Sequence, residues 1–419
     1  MSDSRIRVAV VFGGASSEHA ISCATAAGVL GAIDRDRFEV VPIGISPKGE
    51  WVLAADDPQR WALDSGGTGQ PATDAAVPDG GNPGAGEASE GEASDGNPGD
   101  VRTDPGPQAP GAGAPRGPVV GAEHGLVTLP LGDGTQGPTV TAPGQVPREL
   151  AAVDVVFPLL HGPFGEDGTV QGLLELAGLP YVGSGVLASA VGMDKHYMKV
   201  VLRDAGLPVG PWLTVTPRRW AEHPDEVTAA AGELGWPVFV KPARAGSSVG
   251  VSKVEGPQGL AEAITLAQAS DPKVLIEAAI AGREIECAVL GGRDGGPPRT
   301  TVPGEIVVGS DGGFYDFETK YFDPGAAELL FPADVPEVVV DQARDLAART
   351  YEALGCEGLA RVDFFYTTEG TLLVNEINTM PGFTPFSMFP MLWQRSGMTY
   401  PELITELLDL ALQRPVGLR

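Results

Sequence analysis

Apolar runs of strand length alternate with helix-length segments in the first part of the chain. The runs RIRVAVVFGG (5–14) and FEVVPIGIS (38–46) each have the length of a strand, and the segment ISCATAAGVLGAI between them has the length of a helix. Strands that are apolar on both faces are typical of a parallel sheet covered by helices. The order strand, helix, strand predicts a βαβ unit that opens a doubly wound sheet, in which ligands bind beyond the carboxyl ends of the strands.

Polar residues follow the first of these strands, where the helix is predicted to begin. Ser16 and Ser17 are residues that favour a helix cap, and Glu18 then falls in the first turn of the helix. A carboxylate there complements the helix dipole. It could equally accept the ammonium group of a small zwitterionic substrate. The position of Glu18 alone is consistent with both interpretations.

A third buried strand, VDVVFPLLHG (153–162), places His161 at its carboxyl end, although a single histidine carries little information. The later segment GSGVLA matches a dinucleotide-binding pattern, with Asp204 about 20 residues further on. We reject that match, because Asp204 falls near the end of a helix and the pattern comes too late in the chain. Lys195 lies at the start of the same helix, where a surface lysine is the alternative interpretation.

The segment WPVFVKPARAGSSVGVSKV predicts two strands joined by a loop of small residues. Lys241 ends the first strand, and Ser247 lies in the loop, whose backbone N–H groups can approach anionic oxygens and which can close as a lid. In the next strand pair, Glu277 ends one strand, where backbone groups can contact an adenine edge. Glu284 lies within reach of a ribose hydroxyl. Both glutamates could instead be ordinary surface residues.

Residues 358–382 contain two strand-like runs, LARVDFFY and TLLVNEIN, around a Thr-Thr-Glu-Gly turn, and predict a hairpin. A turn at that position places Asp363 opposite Glu376 and Arg361 opposite Asn378. Opposed carboxylates repel each other unless a cation lies between them. Two carboxylates and an amide oxygen suit Mg²⁺, so the hairpin predicts a metal site for phosphate chemistry. The alternative is a solvated hairpin face.

Composition limits the function classes. The 419 residues carry a net charge of −27, which argues against binding to nucleic acids and to anionic membranes. The three cysteines, Cys23, Cys287 and Cys356, form neither a metal motif nor a disulfide pattern, which favours a reducing cytoplasm. We find neither a membrane span nor a signal peptide in the sequence.

Residues 64 to about 120 differ in kind from the rest of the chain. They are rich in Gly, Pro, Ala and Ser and contain nine acidic residues against two arginines, a net charge of 2 − 9 = −7. Such a segment buries too little apolar surface to offset the entropy lost on ordering. We therefore predict a disordered acidic insertion that acts as a spacer. A segment that binds a partner is the less favoured alternative.

Several motifs together resemble the ATP-grasp superfamily and, within it, the D-alanine–D-alanine ligase family. They are GGASSEHAIS, LHGPFGEDG, MDKHYMK, VKPARAGSSVGVSKV, YDFETKY, ARVDFF and NEINTMPGFTPFSMFP, in this order along the chain. The resemblance covers about 1–60 and 147–415. It implies an α/β (α+β) ATP-grasp fold with an N-terminal substrate-binding α/β domain (1–183), a central domain with the lid (184–277) and a C-terminal metal-binding domain (278–419), the last two clamping ATP.

The resemblance also implies roles for individual residues. Phosphates and the nucleoside of ATP would be bound by Lys195, Lys241, Lys320, Glu277, Ala279, Ile280 and Glu284. The two D-alanines and the reacting centre would be contacted by Glu18, His161, Ser247, Tyr321, Arg361, Gly382, Ser387 and Met388. A pair of Mg²⁺ ions, with Mn²⁺ as the alternative, would be held by Asp363, Glu376 and Asn378.

The implied reaction joins two D-alanines through an acyl phosphate, in a cytoplasmic homodimer that makes a peptidoglycan precursor. Ala279 and Met388 depart from residues found in some family members, an aromatic and a leucine, so adenine stacking and the shape of the second subsite are open. Ligases that use D-lactate or D-serine as the second substrate are the runner-up. A nucleotide-binding regulatory protein without catalysis is the hypothesis from another class.

Overall fold

The computed structural model describes residues 5–63, 117–121, 125–132, 137–142, 147–246, 249–308 and 327–415. Most of the predicted acidic insertion lies outside these ranges. Its last predicted residues do not, because Val120 is 2% exposed and its backbone N–H donates to His19 Nε2 over 3.1 Å. The predicted boundary at 120 is therefore too late. Within the described ranges, every helix is too short or too polar to cross a membrane.

The first sheet has seven strands in the order β6-β5-β4-β3-β2-β1-β7. They are β1 (Ile6–Gly13), β2 (Phe38–Ile45), β3 (Trp51–Leu53), β4 (Leu126–Thr128), β5 (Thr139–Thr141), β6 (Arg148–Glu149) and β7 (Val155–Pro158). Strand β1 is parallel to both β2 and β7, as the βαβ pattern predicts. Strands β3 to β6 extend the sheet in antiparallel pairs, which the sequence pattern did not predict.

Helices cover both faces of this sheet. The helices near it in sequence are α1 (His19–Ala32), α2 (Pro58–Trp61) and α3 (Thr169–Leu176). Alternate residues of β1 point to opposite sides. Val10 and Phe12 pack with α1 in one core, whereas Ala9 and Val11 pack with α3 in another. The apolar run of β1 thus supplies both cores, which is the arrangement of a doubly wound sheet.

The second sheet has four antiparallel strands in the order β10-β9-β11-β8. Its strands are β8 (Trp212–Val215), β9 (Val238–Pro242), β10 (Ser252–Val254) and β11 (Val274–Ala278). The helices of this region are α4 (Val186–Met193), α5 (Lys195–Asp204), α6 (Pro217–Glu222), α7 (Pro224–Glu233) and α8 (Leu260–Gln268). Buried residues of α7 and α8 form one core with this sheet.

The third sheet has six strands, with β12 and β16 side by side at its centre. Its strands are β12 (Gly282–Leu290), β13 (Arg299–Thr300), β14 (Gly304–Val308), β15 (Ala327–Leu330), β16 (Leu359–Thr367) and β17 (Leu372–Asn378). Helix α9 (Glu337–Ala353) packs on this sheet together with buried residues of α5.

The last helices are α10 (Met388–Arg395) and α11 (Tyr400–Gln413), whose buried residues share one core with strands β1 and β7 of the first sheet and strands β12, β14 and β16 of the third. Phe383 lies between these parts, with ring centroids 5.7 Å from Phe157 of β7 and 5.6 Å from Tyr400. The Tyr400 hydroxyl donates to Phe383 O over 2.7 Å. The loop between β17 and α10 is therefore anchored to the N-terminal sheet, and this anchoring brings the carboxyl ends of β1 and β7 next to the third sheet.

Candidate active site

The hairpin of β16 and β17 has the predicted register where its polar residues lie. Asp363 pairs with Glu376, and Arg361 pairs with Asn378. Beyond Asp363 the register shifts, so that Phe364 pairs with Val374. Counting pairs from the turn with a constant register therefore fails between Phe364 and the turn. The irregularity leaves Asn375 as the extra residue of β17, and such bulges are common beside active sites because they redirect side chains.

The Arg361 guanidinium bonds both oxygens of Asp363. Its Nε donates to Oδ1 over 2.7 Å and its Nη2 to Oδ2 over 2.8 Å. The Asn378 amide Nδ2 also donates to Asp363 Oδ2, over 3.0 Å. Glu286 of β12 lies on the other side, with Oε2 at 3.1 Å from Arg361 Nε. A cation therefore stands beside the opposed carboxylates, as their repulsion requires.

A carboxylate between two lysines forms a second charged cluster. Glu277 lies 3.1 Å from Lys199 Nζ through Oε1 and 2.5 Å from Lys241 Nζ through Oε2. Burial opposes the charge of Glu277, but the two lysines outweigh it and hold the pKa of this carboxyl below its usual value. Burial likewise opposes the charge of Lys241, but mainly Glu277 keeps its pKa above the usual value. For Lys199, burial wins over Glu277 and the pKa is lowered.

Lys195 opens α5, as predicted, and its side chain points into the same region. Asp194 accepts from the backbone N–H groups of His196 and Tyr197 and so caps the helix. The Lys195 ammonium donates to Ala245 O over 3.0 Å, at the base of the small-residue loop, and lies 3.5 Å from Glu376 Oε2. Lys195 of α5 and Lys241 of β9 thus both interact with Glu376 of the hairpin.

Glu18 occupies the N-cap position of α1, one residue earlier than predicted, and is 7% exposed. The predicted serine cap is wrong: Ser16 Oγ donates to His161 O over 2.9 Å and accepts from Glu18 N–H over 3.3 Å, so it ties the turn to the end of β7. Gly162 has φ +71°, and a Cβ there would collide with Glu18 Oε2. A Cβ at Gly246 would lie 3.3 Å from the same oxygen. Glu18 therefore sits between two glycine-bearing loops.

His161 and Glu166 both contact the backbone of Met380. His161 Nδ1 lies 3.2 Å from Met380 O and its Nε2 lies 3.4 Å from Thr25 Oγ1. Burial lowers the pKa of His161, so the ring is neutral at pH 7, and its contacts place the proton on Nδ1. Glu166 accepts from Gly162 N–H over 2.6 Å and from Met380 N–H. Burial and the nearby Glu18 raise the pKa of Glu166 to about 8.

The loop after β17 carries Gly382, Ser387 and Met388. Ser387 precedes the first residue of α10 and does not cap it with its side chain. Instead the Thr384 N–H donates to Ser387 Oγ over 3.1 Å, and the two hydroxyl oxygens lie 2.7 Å apart. Met388 is 8% exposed. Because Phe383 is fully buried beside Gly382, the backbone of this loop is held in place.

One cavity of about 1210 Å³ collects most of the predicted site residues. Those in its wall are Glu18, His161, Lys195, Lys241, Glu277, Ile280, Glu284, Arg361, Asp363, Glu376, Asn378, Gly382, Ser387 and Met388. Ala279 lies between the wall residues Ala278 and Ile280, and its backbone N–H donates to Pro237 O over 3.3 Å. The predicted residues Ser247, Lys320 and Tyr321 lie outside the described residues. The cavity is larger than the roughly 300–1,000 Å³ of a pocket for one drug-sized molecule.

The described part of the chain contains no group of three or more histidine, cysteine, aspartate or glutamate side chains arranged around a metal position. The hairpin offers a different donor set, two carboxylates and one amide, which fits Mg²⁺ because this ion takes few protein ligands and keeps water and phosphate in its shell. Asp363 and Glu376 each lie against a cation, Arg361 and Lys195. The chemistry of the donor set therefore fits a divalent cation.

Three charged residues of the site were missed from the sequence. Lys199 and Glu286 are 2% and 3% exposed and lie in otherwise apolar stretches, YMKVVL and IECAVL. A charged residue in such a stretch is a signal for a buried partner. Glu166 lies in the loop LHGPFGEDG, which was recognised without assigning that residue.

Two sequence-family models match the chain. They are described as D-ala D-ala ligase N-terminus, over residues 7–184, and D-ala D-ala ligase C-terminus, over residues 201–409. The D-alanine–D-alanine ligase of Arthrobacter sp. (strain FB24) is 52% identical over 414 residues, which cover 99% of this chain and 96% of that protein. The ligase of the same name from Streptomyces coelicolor is 48% identical over 419 residues, covering 99% and 95%.

Solved structures of the same kind superpose on the chain. The D-alanine-D-alanine ligase from Coxiella burnetii gives a TM-score of 0.72 at 31% identity and covers 98% of this chain and 94% of its own. The VanG D-Ala:D-Ser ligase from Enterococcus faecalis gives 0.73 at 30% identity and covers 97% and 100%. The ATP-grasp fold class expected from the sequence is confirmed.

Proposed function

The chain belongs to the D-alanine–D-alanine ligase family, and from that premise we propose that it joins two D-alanines at the expense of ATP, releasing ADP and phosphate. The product, D-alanyl-D-alanine, serves the synthesis of peptidoglycan precursors. The observation that carries the proposal is the single cavity in which Glu18, the lysines Lys195 and Lys241, and the polar end of the hairpin meet. Its Glu18 carboxylate supports a position for a substrate ammonium group, and its lysines support a position for phosphates.

ATP would lie between the second and third sheets. Lys195 and Lys241 would bind the α- and β-phosphates, and Lys320 would reach the γ-phosphate. The cavity wall beside β11 and β12 would hold the nucleoside, with Glu277 and Ile280 near adenine and Glu284 near ribose. Because the whole protein is strongly acidic, two lysines that face one cavity are a specific feature rather than part of a general positive surface.

Asp363, Glu376 and Asn378 would hold Mg²⁺, a pair of ions in the preferred form, with Mn²⁺ as the alternative. When bound, a divalent cation neutralises the charge on the β- and γ-phosphates. Binding such an ion requires two ion pairs to weaken, because Asp363 is bonded to Arg361 and Glu376 is paired with Lys195.

Glu18 would orient the first D-alanine by binding its ammonium group, with Ser247 and Tyr321 supporting it. An oxygen of the substrate carboxylate attacks the γ-phosphorus of ATP and forms an acyl phosphate, while ADP leaves. This step consists mainly of positioning and charge neutralisation. Closure of the loop that contains Ser247 would keep water from the acyl phosphate.

The deprotonated amine of the second D-alanine then attacks the acyl carbon, and phosphate leaves as the peptide bond forms. The Arg361 guanidinium and the Gly382 N–H would donate to the oxyanion that develops on the former carboxyl oxygen. One such donor contributes about 3–4 kcal/mol to transition-state stabilisation. Phe383 and the contacts of Met380 with His161 hold the backbone that carries Gly382.

Ser387 and Met388 would bind the second substrate, Ser387 at the carboxylate and Met388 at the side chain, with His161 near the first substrate. Ser387 and Met388 would then decide between D-alanine and the runner-up substrates, D-serine and D-lactate. The chain is 30% identical to a D-Ala:D-Ser ligase, which makes D-serine the alternative to test first. The relatives near 50% identity are named D-alanine–D-alanine ligases.

The test is phosphate release from Mg-ATP with D-alanine, L-alanine or no amino acid, combined with mass analysis of the products. We expect release that requires D-alanine and yields the dipeptide. Competition with D-serine and D-lactate from pH 6 to 9 then ranks the second substrates, since an amine must lose its proton to attack. Ester formed exclusively with D-lactate would overturn the D-alanine assignment. If none of the D-amino or D-hydroxy acids stimulates ATP hydrolysis, a regulatory nucleotide-binding protein is the better description.

We expect the protein to be a cytoplasmic homodimer. Light scattering coupled to gel filtration measures its mass in solution against the 43.3 kDa of one chain. A monomer at micromolar concentration would contradict the dimer and leave the reaction unaffected, because the described cavity is formed by a single chain.

A further inference from the structure

Three carboxylates stand side by side on adjacent strands of the third sheet. Glu286 of β12 pairs with Asp363 of β16, and Asp363 pairs with Glu376 of β17. Directly opposed residues point to the same face of a sheet, and all three line the cavity. Glu286 is the one that the hairpin pattern could not indicate, since it comes from a strand far away in the sequence.

Arg361 is shared by two of these carboxylates. Its Nε lies 2.7 Å from Asp363 Oδ1 and 3.1 Å from Glu286 Oε2. Glu286 is 3% exposed, and its side chain belongs to the site face of the sheet. A carboxylate buried to this extent keeps its charge only when a cation or a hydrogen-bond donor compensates it. Arg361 therefore supplies the cation that compensates the buried charge of Glu286.

In the proposed reaction, Arg361 and a metal ion would both bind the Asp363 carboxylate. Both of its oxygens accept from Arg361, and Oδ2 accepts from Asn378 as well. A divalent cation at this position requires at least one of the oxygens and repels the guanidinium next to it. Because β12 and β17 lie on opposite sides of β16, Glu286 attracts Arg361 away from Glu376 and the proposed metal position.

We propose that Glu286 is a positioning residue: it retains Arg361 beside the reaction centre when Asp363 gives its oxygens to a metal ion. The inference rests on the proposed function, and Glu286 acts through Arg361 without contacting the substrate. Without Glu286, Arg361 is held more strongly by Asp363, so the guanidinium and the metal ion compete for the same oxygens.

The direct test measures metal binding rather than turnover. Mn²⁺ is titrated into the protein in the presence of ADP, and free Mn²⁺ is followed by electron paramagnetic resonance. In Glu286→Gln, which keeps the size of the side chain, we expect the Mn²⁺ dissociation constant to rise by about 10-fold or more, the size of effect seen for outer-shell partners of metal ligands. In Glu286→Asp, which keeps the charge, we expect a smaller rise.

Glu305→Gln is the matched control. Glu305 is also buried, at 4% exposure, and accepts from Arg283 Nε over 2.6 Å on the same sheet. It pairs with Ile285, the neighbour of Glu286, and so belongs to the opposite face. This substitution removes an equivalent buried charge and should leave Mn²⁺ affinity unchanged. Wild-type affinity in Glu286→Gln, or an equal loss in Glu305→Gln, would overturn the proposal.

A double substitution separates positioning from a general structural role. In an Arg361→Met background no guanidinium competes for Asp363, so adding Glu286→Gln should no longer weaken Mn²⁺ binding. An undiminished effect in that background would contradict the mechanism. If Glu286→Gln does not fold, judged by circular dichroism, the comparison of Glu286→Asp with wild type decides, and unchanged Mn²⁺ affinity again overturns the proposal. Phosphate release by the wild type tests the proposed function separately.

Discussion

Lys195 Nζ lies 3.5 Å from Glu376 Oε2, so an ion pair joins the start of α5 to the end of β17 inside the cavity. The same ammonium group donates to Ala245 O at the base of the small-residue loop. One lysine thus connects the second and third sheets at the place where phosphates are proposed to bind. A bound nucleotide would draw this cation from Glu376, just as a metal ion would need that carboxylate.

Replacing this lysine should weaken ATP binding. We expect Lys195→Gln to raise the KM for ATP by roughly 10- to 100-fold, the effect of losing one hydrogen bond between charged groups. The KM for D-alanine should change much less. Steady-state kinetics measure both constants, and Lys253→Gln, at an exposed lysine of β10, is the control. An unchanged KM for ATP would remove Lys195 from the phosphate site.

Asp363→Asn should remove most of the metal-dependent turnover without unfolding the protein. Asparagine keeps an oxygen for Arg361 but loses the charge that a divalent cation needs. We expect turnover at fixed Mg²⁺ to fall by at least the roughly 10- to 100-fold that loss of an outer-shell partner causes, because Asp363 is proposed to bind the metal directly. The measurement is the dependence of phosphate release on Mg²⁺ concentration, with Asp341→Asn at an exposed position of α9 as control. A wild-type Mg²⁺ dependence would mean that the hairpin is not the metal site.

The cluster of Glu277 with Lys199 and Lys241 predicts an asymmetry in stability. Glu277→Gln leaves the buried ammonium group of Lys199 and the half-buried one of Lys241 without the carboxylate between them, and we expect a loss of about 3–5 kcal/mol in the free energy of unfolding. Lys199→Met should cost less, because Glu277 retains Lys241 at 2.5 Å. Urea unfolding at pH 7 compares the two variants. A larger loss in Lys199→Met would show that the lysines do not share the carboxylate as described.

Glu166 makes the stability depend on pH. Its pKa is raised to about 8 in the folded protein, through burial and the nearby Glu18, from an ordinary value of 4.5. Between these values the folded state keeps a proton that the unfolded state has released, so stability falls as the pH rises. Glu166→Gln lacks this loss. We expect its Tm relative to wild type to increase from pH 5 to 8.

The slope with pH is the quantity that matters for Glu166, because a changed hydrogen bond with Gly162 or Met380 shifts Tm by a similar amount at every pH. Differential scanning fluorimetry from pH 5 to 8 measures how Tm changes with pH. Glu352→Gln, at an exposed glutamate of α9, should run parallel to wild type. A parallel curve for Glu166→Gln would show that the Glu166 carboxyl ionises near its ordinary pKa.

The acidic insertion should be removable only up to the described residues that begin at Gly117. Deleting residues 66–114 and joining the ends with a short linker should leave turnover nearly unchanged, because Gly117 packs against Ala20 and Leu63 and so places both ends together. A deletion that continues through 120 removes Val120 and should lower Tm by several degrees. A large loss of kcat in the shorter deletion would show that the insertion contributes to the site.

The sequence determined those features that depend on neighbouring residues. The apolar period of β1, the helix with Lys195 at its start, and the hairpin pairing of Asp363 with Glu376 are local, because backbone geometry links residues within one element or across one tight turn. The remaining residues predicted for the site came from the family motifs. Most of the residues they indicated do lie around one cavity.

Tertiary structure alone decided which distant elements stand side by side. Glu286 reaches Arg361 because β12 pairs with β16, and Glu277 reaches Lys199 because α5 packs beside the second sheet. It also decided that the loop after β17 is held by the N-terminal sheet through Phe383. Such contacts depend on how whole hydrophobic faces pack together, and that packing is a property of the complete core rather than of any local stretch of sequence.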